Sequence, residues 1–542
     1  MLLKLSNRFA AAALIVTSMI TLATFHPVSA QQPVPQPQPA TPAEQTGPAP
    51  GTYTLQVNAQ AVVLDVVVTN KKGEIVNNLS KDDFQVYEDK VPQTIRTLDQ
   101  PQSHLAPANI PISSTAELDK LEPAAPVTII VLDEINTRFE DEAFARYSLK
   151  KFLDTQGDTL QQPTMLVAVD LQRFMVLRDY TTSKREILAA LDHHLTSYPW
   201  HLQGGSWKTE QYNAAFASLM EVAEATAGHP GHKSMIWIGR GFPTIDPATL
   251  STMANDALQT AIKTCTNALR DARVVLYTLD PAGVPAEPAQ PDPDGFYEDD
   301  PFGGQVDFNA MSQATGGHAF YGRNDVDQLI AASTRDAAGF YTLSYTPSVT
   351  RTDIKAFHNI RVVMKTPGLQ AATRMGYYAQ PPPPPPDETS SGKLSTRQIF
   401  DLTVAGQSMM VYDAVPLAIT RIAANPDQFK IGFDAANVAW QETTPGKLTA
   451  DLTILVESFD KKGKLLNHTA ETTTAQVAES STPNVPVVPK VNLLTTIPTQ
   501  PPAARIRFVV RINRNQKLGA ANFFLVDRKT LSDPTTGLAP TH

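Results

Sequence analysis

The sequence APVTIIVLDEINTRFEDEAFARYSLKKFL, residues 125–153, sets the fold class of the chain. From Val127 to Leu132 it is a run of β-branched and aliphatic residues between prolines and charged residues. Such a run predicts a strand that is buried on both faces, as at the centre of a parallel sheet. Asp133 ends the run, and apolar residues at roughly helical spacing then predict a helix. Ligands of open α/β sheets gather at the carboxyl ends of central strands, where Asp133 and Thr137 lie.

This segment resembles the first motif of the von Willebrand factor A domain, which reads Asp-x-Ser-x-Ser and holds a divalent cation. Here the sequence is DEINT, residues 133–137, so Ile135 stands where the family has its first hydroxyl ligand. The LDEINT form is followed by ATGGHAFYGRND (314–325), GFYTLSYTP (339–347) and FHNIRVVMKTPGLQAATRMGYYA (357–379). Together these segments resemble a VWFA-related subfamily of exported bacterial proteins, best known from the acidobacterial group.

The domain organisation follows from length and patterning. A chain of 542 residues with 44 prolines predicts several domains joined by linkers. Alternating strands and helices predict a doubly wound, Rossmann-type α/β domain, and period-two alternation on either side predicts β modules. The predicted ranges are a signal peptide (1–30), a proline-rich disordered linker (31–51), a small β unit (52–100), a linker (101–124), the von Willebrand factor A-like domain (125–340), a β extension that pairs with the small β unit (341–379), a proline-rich linker (380–395), a β-sandwich (396–530) and a disordered tail (531–542).

The N-terminus has the features of a secretory signal peptide. Lys4 and Arg8 precede an uncharged, largely apolar stretch that ends at Phe25, and small residues follow at 28–30. An uncleaved membrane anchor is the alternative, because the apolar stretch is marginally long enough to span a bilayer. No other long apolar run occurs in the sequence. We therefore expect an exported protein of the periplasm, the cell envelope or the extracellular space, with no transmembrane segment after cleavage.

Composition and motifs argue against several function classes. The formal net charge of −9 is dispersed, and a nucleic-acid-binding protein would need a clustered basic face. The single cysteine, Cys265, cannot form an intramolecular disulfide. No G-x-S-x-G, phosphate-binding glycine loop or H-E-x-x-H motif is present. The histidine pairs 193–194 and 229/232 lack the accompanying glutamate or cysteine of a zinc site, so we expect them to be ordinary surface histidines.

The resemblance implies a cation site built from three loops. Magnesium and calcium prefer oxygen ligands, and the first loop offers Asp133 and Thr137, with Asn136 beside them. The second loop of the family supplies a threonine after glycines, and LQGGSWKT (202–209) offers Ser206 or Thr209.

The third loop of the family has an aspartate after the fourth strand, but this chain has Gly239 and Arg240 there. A guanidinium beside Asp133 would take the place of the cation and repel a second positive charge. We therefore expect a degenerate site with no cofactor, and a weak magnesium or calcium site on Asp133 and Thr137 is the alternative. Asp280, at the end of the fifth strand, either caps the next segment or faces the same cleft.

The predicted function is that of an exported, non-catalytic protein of the interaction or adhesion type. Asn136, Arg240 and Asp280 are the candidates for its binding surface, and the partner is an unidentified protein or envelope ligand. One alternative is a secreted hydrolase with a site in the acidic stretch 281–305 or in the C-terminal module. A purely architectural component of the envelope is the other.

The signal sequence gives the first testable prediction. Cleavage after Val28-Ser29-Ala30 should leave Gln31 as the mature N-terminus. Intact-mass measurement of the exported protein checks this, and a mass that retains residues 1–30 would instead establish an anchor.

Overall fold

The computed structural model describes residues 61–104, 110–171, 173–196, 207–283, 302, 306–348, 356–379, 394–444, 447–478 and 490–525. The predicted signal peptide, the linker 31–51, the tail 531–542 and most of segments 281–305 and 380–395 lie outside these residues. The described chain is mixed α/β, with one six-stranded sheet that contains parallel strands and several antiparallel sheets. Among the described residues, no helix combines the length and apolar character needed to cross a bilayer.

The N-terminal segment forms strands because apolar and polar residues alternate along it, which buries one face. In the turn after the first strand, the side chain of Asn70 accepts from the backbone N of Lys72 at 2.8 Å, and Gly73 has a φ of +76°. Ser80 and Asp83 have the spacing of a capping box, and the structure forms it. The strands are β1 (Val62–Thr69), β2 (Phe84–Glu88), β3 (Val91–Gln93) and β4 (Ile95–Asp99).

The central region, up to residue 338, alternates strands with helices as the sequence predicts. Its helices are α1 (Thr115–Leu121), α2 (Phe139–Asp154), α3 (Lys184–His193), α4 (Trp207–Ala225), α5 (Thr252–Asp271), α6 (Phe308–Thr315) and α7 (Val326–Ala338). Its strands are β5 (Val127–Asp133), β6 (Thr159–Val169), β7 (Phe174–Ser183), β8 (Lys233–Ile238), β9 (Val274–Leu279) and β10 (Ala319–Phe320).

These six strands form one sheet in the order β10-β9-β8-β5-β6-β7. All neighbouring pairs are parallel except β6 and β7, which form an antiparallel edge hairpin, as the short connection between Val169 and Phe174 predicts. Every residue of β5 is buried. Ile129 and Val131 pack in one core with α4, α5 and α6, whereas Ile130 and Leu132 pack in a second core with α2, α3 and α7. Helices therefore cover both faces of the central sheet.

One predicted helix is divided. Asp246 followed by Pro247 predicts the start of a single helix that runs to Asp271, but Asp246 caps only a short 3₁₀ turn over Pro247–Thr249. Leu250 is extended, and Ser251 then caps α5 by accepting from the backbone N of Ala254 at 3.3 Å. The second N-cap explains the difference, because an extended residue between two caps interrupts the helix.

The predicted β extension pairs with the N-terminal strands. Its strands are β11 (Phe340–Tyr345), β12 (Phe357–Met364), β13 (Gln370–Ala372) and β14 (Gly376–Tyr378). Two sheets result, in the orders β13-β1-β11-β4 and β14-β12-β2-β3, and a common core of residues such as Leu64, Phe84 and Tyr341 lies between them. The pairing expected between these two distant segments is thus confirmed.

The C-terminal module begins with a helix, α8 (Thr396–Gln407), inside the range predicted to be entirely β. Ser395 and Gln398 form a capping box, and Leu402 and Ala405 form the buried face of α8. The following strands form two antiparallel sheets, β15-β23-β22-β19-β18 with β20 on β19, and β16-β17-β21, around one core. The strands are β15 (Tyr412–Asp413), β16 (Ala418–Arg421), β17 (Gln428–Asp434), β18 (Gln441–Thr444), β19 (Lys447–Asp460), β20 (Leu465–Ala478), β21 (Lys490–Thr496), β22 (Ala503–Ile512) and β23 (Leu518–Phe524).

The C-terminal module packs directly on the central region. Leu402 and Ala405 of α8 lie in the same core as Leu219 of α4. Polar contacts cross the same junction: Asp413 accepts from the backbone N of Gly228 at 2.6 Å, and Ser408 donates to the carboxylate of Glu221 at 2.6 Å. The junction between the C-terminal module and the central region therefore contains both apolar side chains and titratable carboxylates.

Glu221 makes this junction sensitive to pH. Burial raises its pKa to about 7, although the hydrogen bond from Ser408 opposes the rise. The folded protein thus holds a proton that the unfolded chain releases between about pH 4.5 and 7, so the free energy of unfolding should fall as the pH rises through that range. The full shift corresponds to about 3 kcal/mol, and we expect about 2 kcal/mol because Glu221 is only partly buried.

Urea unfolding at pH 5 and pH 8 checks this prediction. Glu221→Gln should stabilise the protein relative to the unmodified chain at pH 8 but not at pH 5, because glutamine still accepts the hydrogen bond and carries no charge. Glu210→Gln, an exposed carboxylate on the same helix, is the control. An equal effect of Glu221→Gln at both pH values would contradict the prediction.

Candidate functional site

The loops that follow β5, β8, β9 and β10 meet at one edge of the central sheet, because these strands run parallel. Asp133 is the last residue of β5, and Gly239 follows β8. Asp280 follows β9, and Tyr321 follows β10. The site residues predicted for the first and third loops therefore lie at the carboxyl ends of the parallel strands. We call this end of the sheet the rim.

The carboxylate of Asp133 is buried and accepts four hydrogen bonds from N–H groups. Its Oδ1 accepts from the backbone N of Ile135 at 2.8 Å and of Asn136 at 3.3 Å. Its Oδ2 accepts from Trp237 Nε1 at 3.0 Å and from the backbone N of Gly241 at 2.5 Å. Two donors on each oxygen use the acceptor capacity of the carboxylate, so a cation could bind there only by displacing them.

Burial raises the pKa of Asp133, and the hydrogen bonds from Trp237, Gly241, Ile135 and Asn136 act in the opposite direction. The N–H groups thus do for this carboxylate what a cation does in a metal site: they stabilise its charge in a dry environment. Trp237 and Gly241 were not predicted as site residues. The only local signal for them was the pair of glycines, Gly239 and Gly241, directly after β8.

The backbone of Gly239 packs directly against the side chains of Asp133 and Thr137. Gly239 has a φ of +148°, and a Cβ there would lie 2.2 Å from the Cβ of Asp133 and 2.6 Å from Oγ1 of Thr137. The third loop therefore lies against the first loop with no room for a side chain. Oγ1 of Thr137 is buried and has no hydrogen-bond partner within the described part of the chain. Asp133 and Thr137, the two ligands that the resemblance predicts, are thus adjacent, but Gly239 stands at the position where the resemblance calls for an acidic ligand.

The other predicted ligands do not reach this position together. Asn136 accepts from Gln211 Nε2 at 2.9 Å, which fixes the first loop to α4. Thr209 is exposed on the first turn of α4, and Ser206 lies outside the described residues. No group of three or more His, Cys, Asp or Glu side chains is placed to hold a metal within the described ranges.

Arg240 pairs with Asp280 and not with Asp133. Arg240 Nε donates to Asp280 Oδ1 at 3.3 Å, and the same oxygen accepts from the backbone N of Ala282 at 2.9 Å. The sequence predicts that the Arg240 guanidinium neutralises the Asp133 carboxylate. In the structure, N–H groups stabilise that carboxylate instead. Asp280 both caps the segment after β9 and holds the Arg240 guanidinium on the rim.

Three of the four predicted surface histidines, His194, His229 and His232, are buried, which corrects the sequence expectation, and two of them are bonded to carboxylates. His194 forms a hydrogen bond with Glu134, the residue after β5, and both side chains are buried. His232 Nδ1 lies 2.8 Å from Asp65, and its Nε2 lies 3.2 Å from Ser234 Oγ.

The series Asp65, His232 and Ser234 has the order of a serine-hydrolase triad, but its serine is fully buried inside β8. A nucleophile needs a hydroxyl that a substrate can reach. Asp65 is also bound by Arg273 at 2.6 Å. This group therefore joins β1 to the central sheet rather than forming a catalytic site.

The rim also carries four exposed apolar side chains that the sequence analysis did not identify. Phe139 begins α2, Met253 lies in the first turn of α5, and Tyr321 follows β10. Leu195 follows His194, which is bonded to Glu134 at the end of β5. Their exposed fractions are 61% for Phe139, 74% for Met253, 67% for Tyr321 and 83% for Leu195. The sequence signal that could have identified them is their position at the ends of helices and strands. An apolar residue there does not belong to the periodic pattern that marks a buried face.

No protein-family model matches the chain, and no curated protein matches it. Similar solved structures include proximal thread matrix protein 1 from the mussel byssus, which is 13% identical over 44% of this chain and 51% of that chain, with a TM-score of 0.25. They also include β-glucuronidase 2 of Bacteroides uniformis, which is 11% identical over 21% of this chain and 13% of that chain, with a TM-score of 0.11. The chain spans about half or less of the length of these proteins. We infer neither fold nor function from these likenesses.

Proposed function

We propose that this chain is an exported, non-catalytic interaction protein that binds its partner through the rim of a degenerate von Willebrand factor A-like domain, without a metal ion. The observation that carries the proposal is the Asp133 carboxylate, which accepts four internal N–H groups. A site whose central carboxylate is already satisfied has little to offer a cation. Contact with a partner then depends on the surface around it.

The strand order supports the doubly wound assignment. Read from β7 to β10, the sheet has the order 3-2-1-4-5-6 of that architecture when its strands are counted along the chain. The order reverses between β5 and β8. Ligands of such sheets bind where the order reverses, and the loops of Asp133 and Arg240 lie at this point.

The composition of the rim supports a protein partner. Tyrosine, phenylalanine and methionine are enriched at protein interfaces, and arginine is also frequent there. Phe139, Met253 and Tyr321 are more than half exposed on the rim. Arg240 is also on the rim, with its guanidinium paired to Asp280. Such a mixture of apolar side chains and satisfied charges suits contact with another protein surface better than it suits binding of a free ion.

The first prediction from this proposal concerns metal. Magnesium, calcium and manganese should bind the chain from residue 31 onward with millimolar affinity or weaker. The binding free energy is then no more favourable than about −4 kcal/mol. Asp133→Ala should instead lower the free energy of unfolding by about 3 kcal/mol, because buried N–H donors lose their acceptor. Asp280→Ala, on the exposed ion pair, should cost less than about 1 kcal/mol.

Titration calorimetry and urea unfolding of the three proteins provide the measurements. The whole chain is used because the central region and the C-terminal module share one core. Micromolar metal binding that disappears in Asp133→Ala would restore a metal-dependent site and remove the proposal.

The second prediction concerns the apolar rim. In a pull-down from envelope extract, the protein captured by the unmodified chain should still be captured in EDTA. Phe139→Ser and Tyr321→Ser should each weaken its binding at least about tenfold, as expected for interface hot spots. Leu494→Ser is the matched control, since Leu494 is 61% exposed but lies on β21 of the C-terminal module. Equal loss in Leu494→Ser, or release of the partner by EDTA, would contradict binding through the rim.

A further inference from the structure

A recess lies at the opposite end of the central sheet from the rim, at the amino ends of its parallel strands. Its volume is about 390 Å³, within the range of about 300–1,000 Å³ that small-molecule sites occupy. Four parts of the chain enclose it. They are the segments after β1 and β4, the connection from α2 to β6, and the end of α7.

The floor of the recess is apolar and tightly packed. Ile75, Pro101 and Phe152 line it, together with Gly339, the C-cap of α7. A Cβ on Gly339 would lie 2.6 Å from Cδ1 of Ile75, so the turn after β1 rests directly on the end of α7. Packing of this kind fixes the shape of the recess, since neither element can move without losing the contact.

The walls carry four carboxamides, from Asn77, Gln102, Gln156 and Gln161. Gln156 Nε2 donates to Thr155 Oγ1 at 3.0 Å, which leaves its side-chain carbonyl available. Gln102 has one long hydrogen bond, of 3.5 Å to Asn78. Each carboxamide offers both a donor and an acceptor, so the walls present the two kinds of group side by side.

The charges around the recess do not strongly favour either an anionic or a cationic ligand. Among the described residues that line it, Arg335 is the only ionisable one. The α2 and α7 helices both end here, at Asp154 and Ala338, and the carboxyl end of a helix carries negative partial charge. These two helix ends offset the charge of Arg335.

We propose that this recess binds a neutral, multiply hydroxylated ligand, namely one or two rings of a saccharide. Hydroxyl groups donate and accept at once, as the carboxamides do, and the C–H face of a sugar ring fits an apolar floor. Asn77, Gln102 and Gln161 are exposed and Gln156 is partly buried, so a purely apolar ligand would cover carboxamides that now face water without replacing their hydrogen bonds, which costs free energy. This site is independent of the rim, so either proposal can fail without the other.

Saturation-transfer NMR on the whole chain from residue 31 tests the assignment with glucose, N-acetylglucosamine and cellobiose as neutral probes. Glucuronic acid and glucosamine are the charged probes. At least one neutral sugar should bind in the millimolar range or tighter, and neither charged sugar should bind better than its neutral counterpart. Signal from none of the neutral probes would overturn the proposal, as would clear preference for either charged sugar.

Substitutions then test the location. Gln156→Leu and Gln161→Leu should each weaken binding about tenfold, since each removes hydrogen bonds of roughly 1.4 kcal/mol. Gln328→Leu is the matched control, on an exposed glutamine in the first turn of α7. Circular dichroism and urea unfolding confirm that each variant is folded. Sugar binding that is equally strong in Gln156→Leu, Gln161→Leu and Gln328→Leu would place the ligand elsewhere and overturn the assignment.

Discussion

Burial of β5 on both faces is the constraint on which the rest of the structure depends. All its residues from Val127 to Asp133 are buried, and their side chains enter two separate cores. Helices must therefore cover both sides of the sheet. The last residue brings a carboxylate into the same dry environment, where an unpaired charge would be costly. The fold therefore requires the N–H groups around Asp133. Because they bond both carboxylate oxygens, neither oxygen is left to bind a cation.

Local sequence signals were sufficient for much of the fold. The apolar run from Val274 to Leu279 predicts the limits of β9, and the short connection between β6 and β7 predicts their hairpin. The pairing of β1 and β2 with β11 and β12 was predicted as well, because alternation marked both segments as β. In each of these cases the deciding information lies within about ten residues, as periodicity, turn residues or a cap.

The candidate site was less predictable because its geometry depends on contacts between distant residues. Asp133 and Thr137 were found from one motif, but the donors from Trp237 and Gly241 reach Asp133 across more than 100 residues of sequence. The same reason explains why Arg240 was assigned to Asp133 when it pairs with Asp280. Helix α8 is a different case, since the capping box at Ser395 was a local signal that the strand pattern beyond it outweighed.

A buried charge network holds the amino end of the central sheet, in contrast to the exposed rim. Asp65 of β1 contacts His232 at 2.8 Å, Arg273 at 2.6 Å and Thr342 at 3.0 Å. Burial alone would raise the pKa of Asp65, but the hydrogen bond and charge of His232, and then of Arg273, hold it far below its usual range.

Separation of the N-terminal strands from the sheet would take the Asp65 carboxylate away from its partners on the sheet, His232 and Arg273, so these contacts resist it. His232 and Arg273 precede β8 and β9 directly, whereas Arg240 and Asp280 follow them. Each of these two strands is thus anchored at its amino end by a buried ion network and carries a solvent-accessible ion pair at its carboxyl end. Exposed residues of the carboxyl-end loops, such as Arg240, can therefore vary in sequence without disturbing the network that fixes the sheet, whereas Gly239 and the donors to Asp133 cannot.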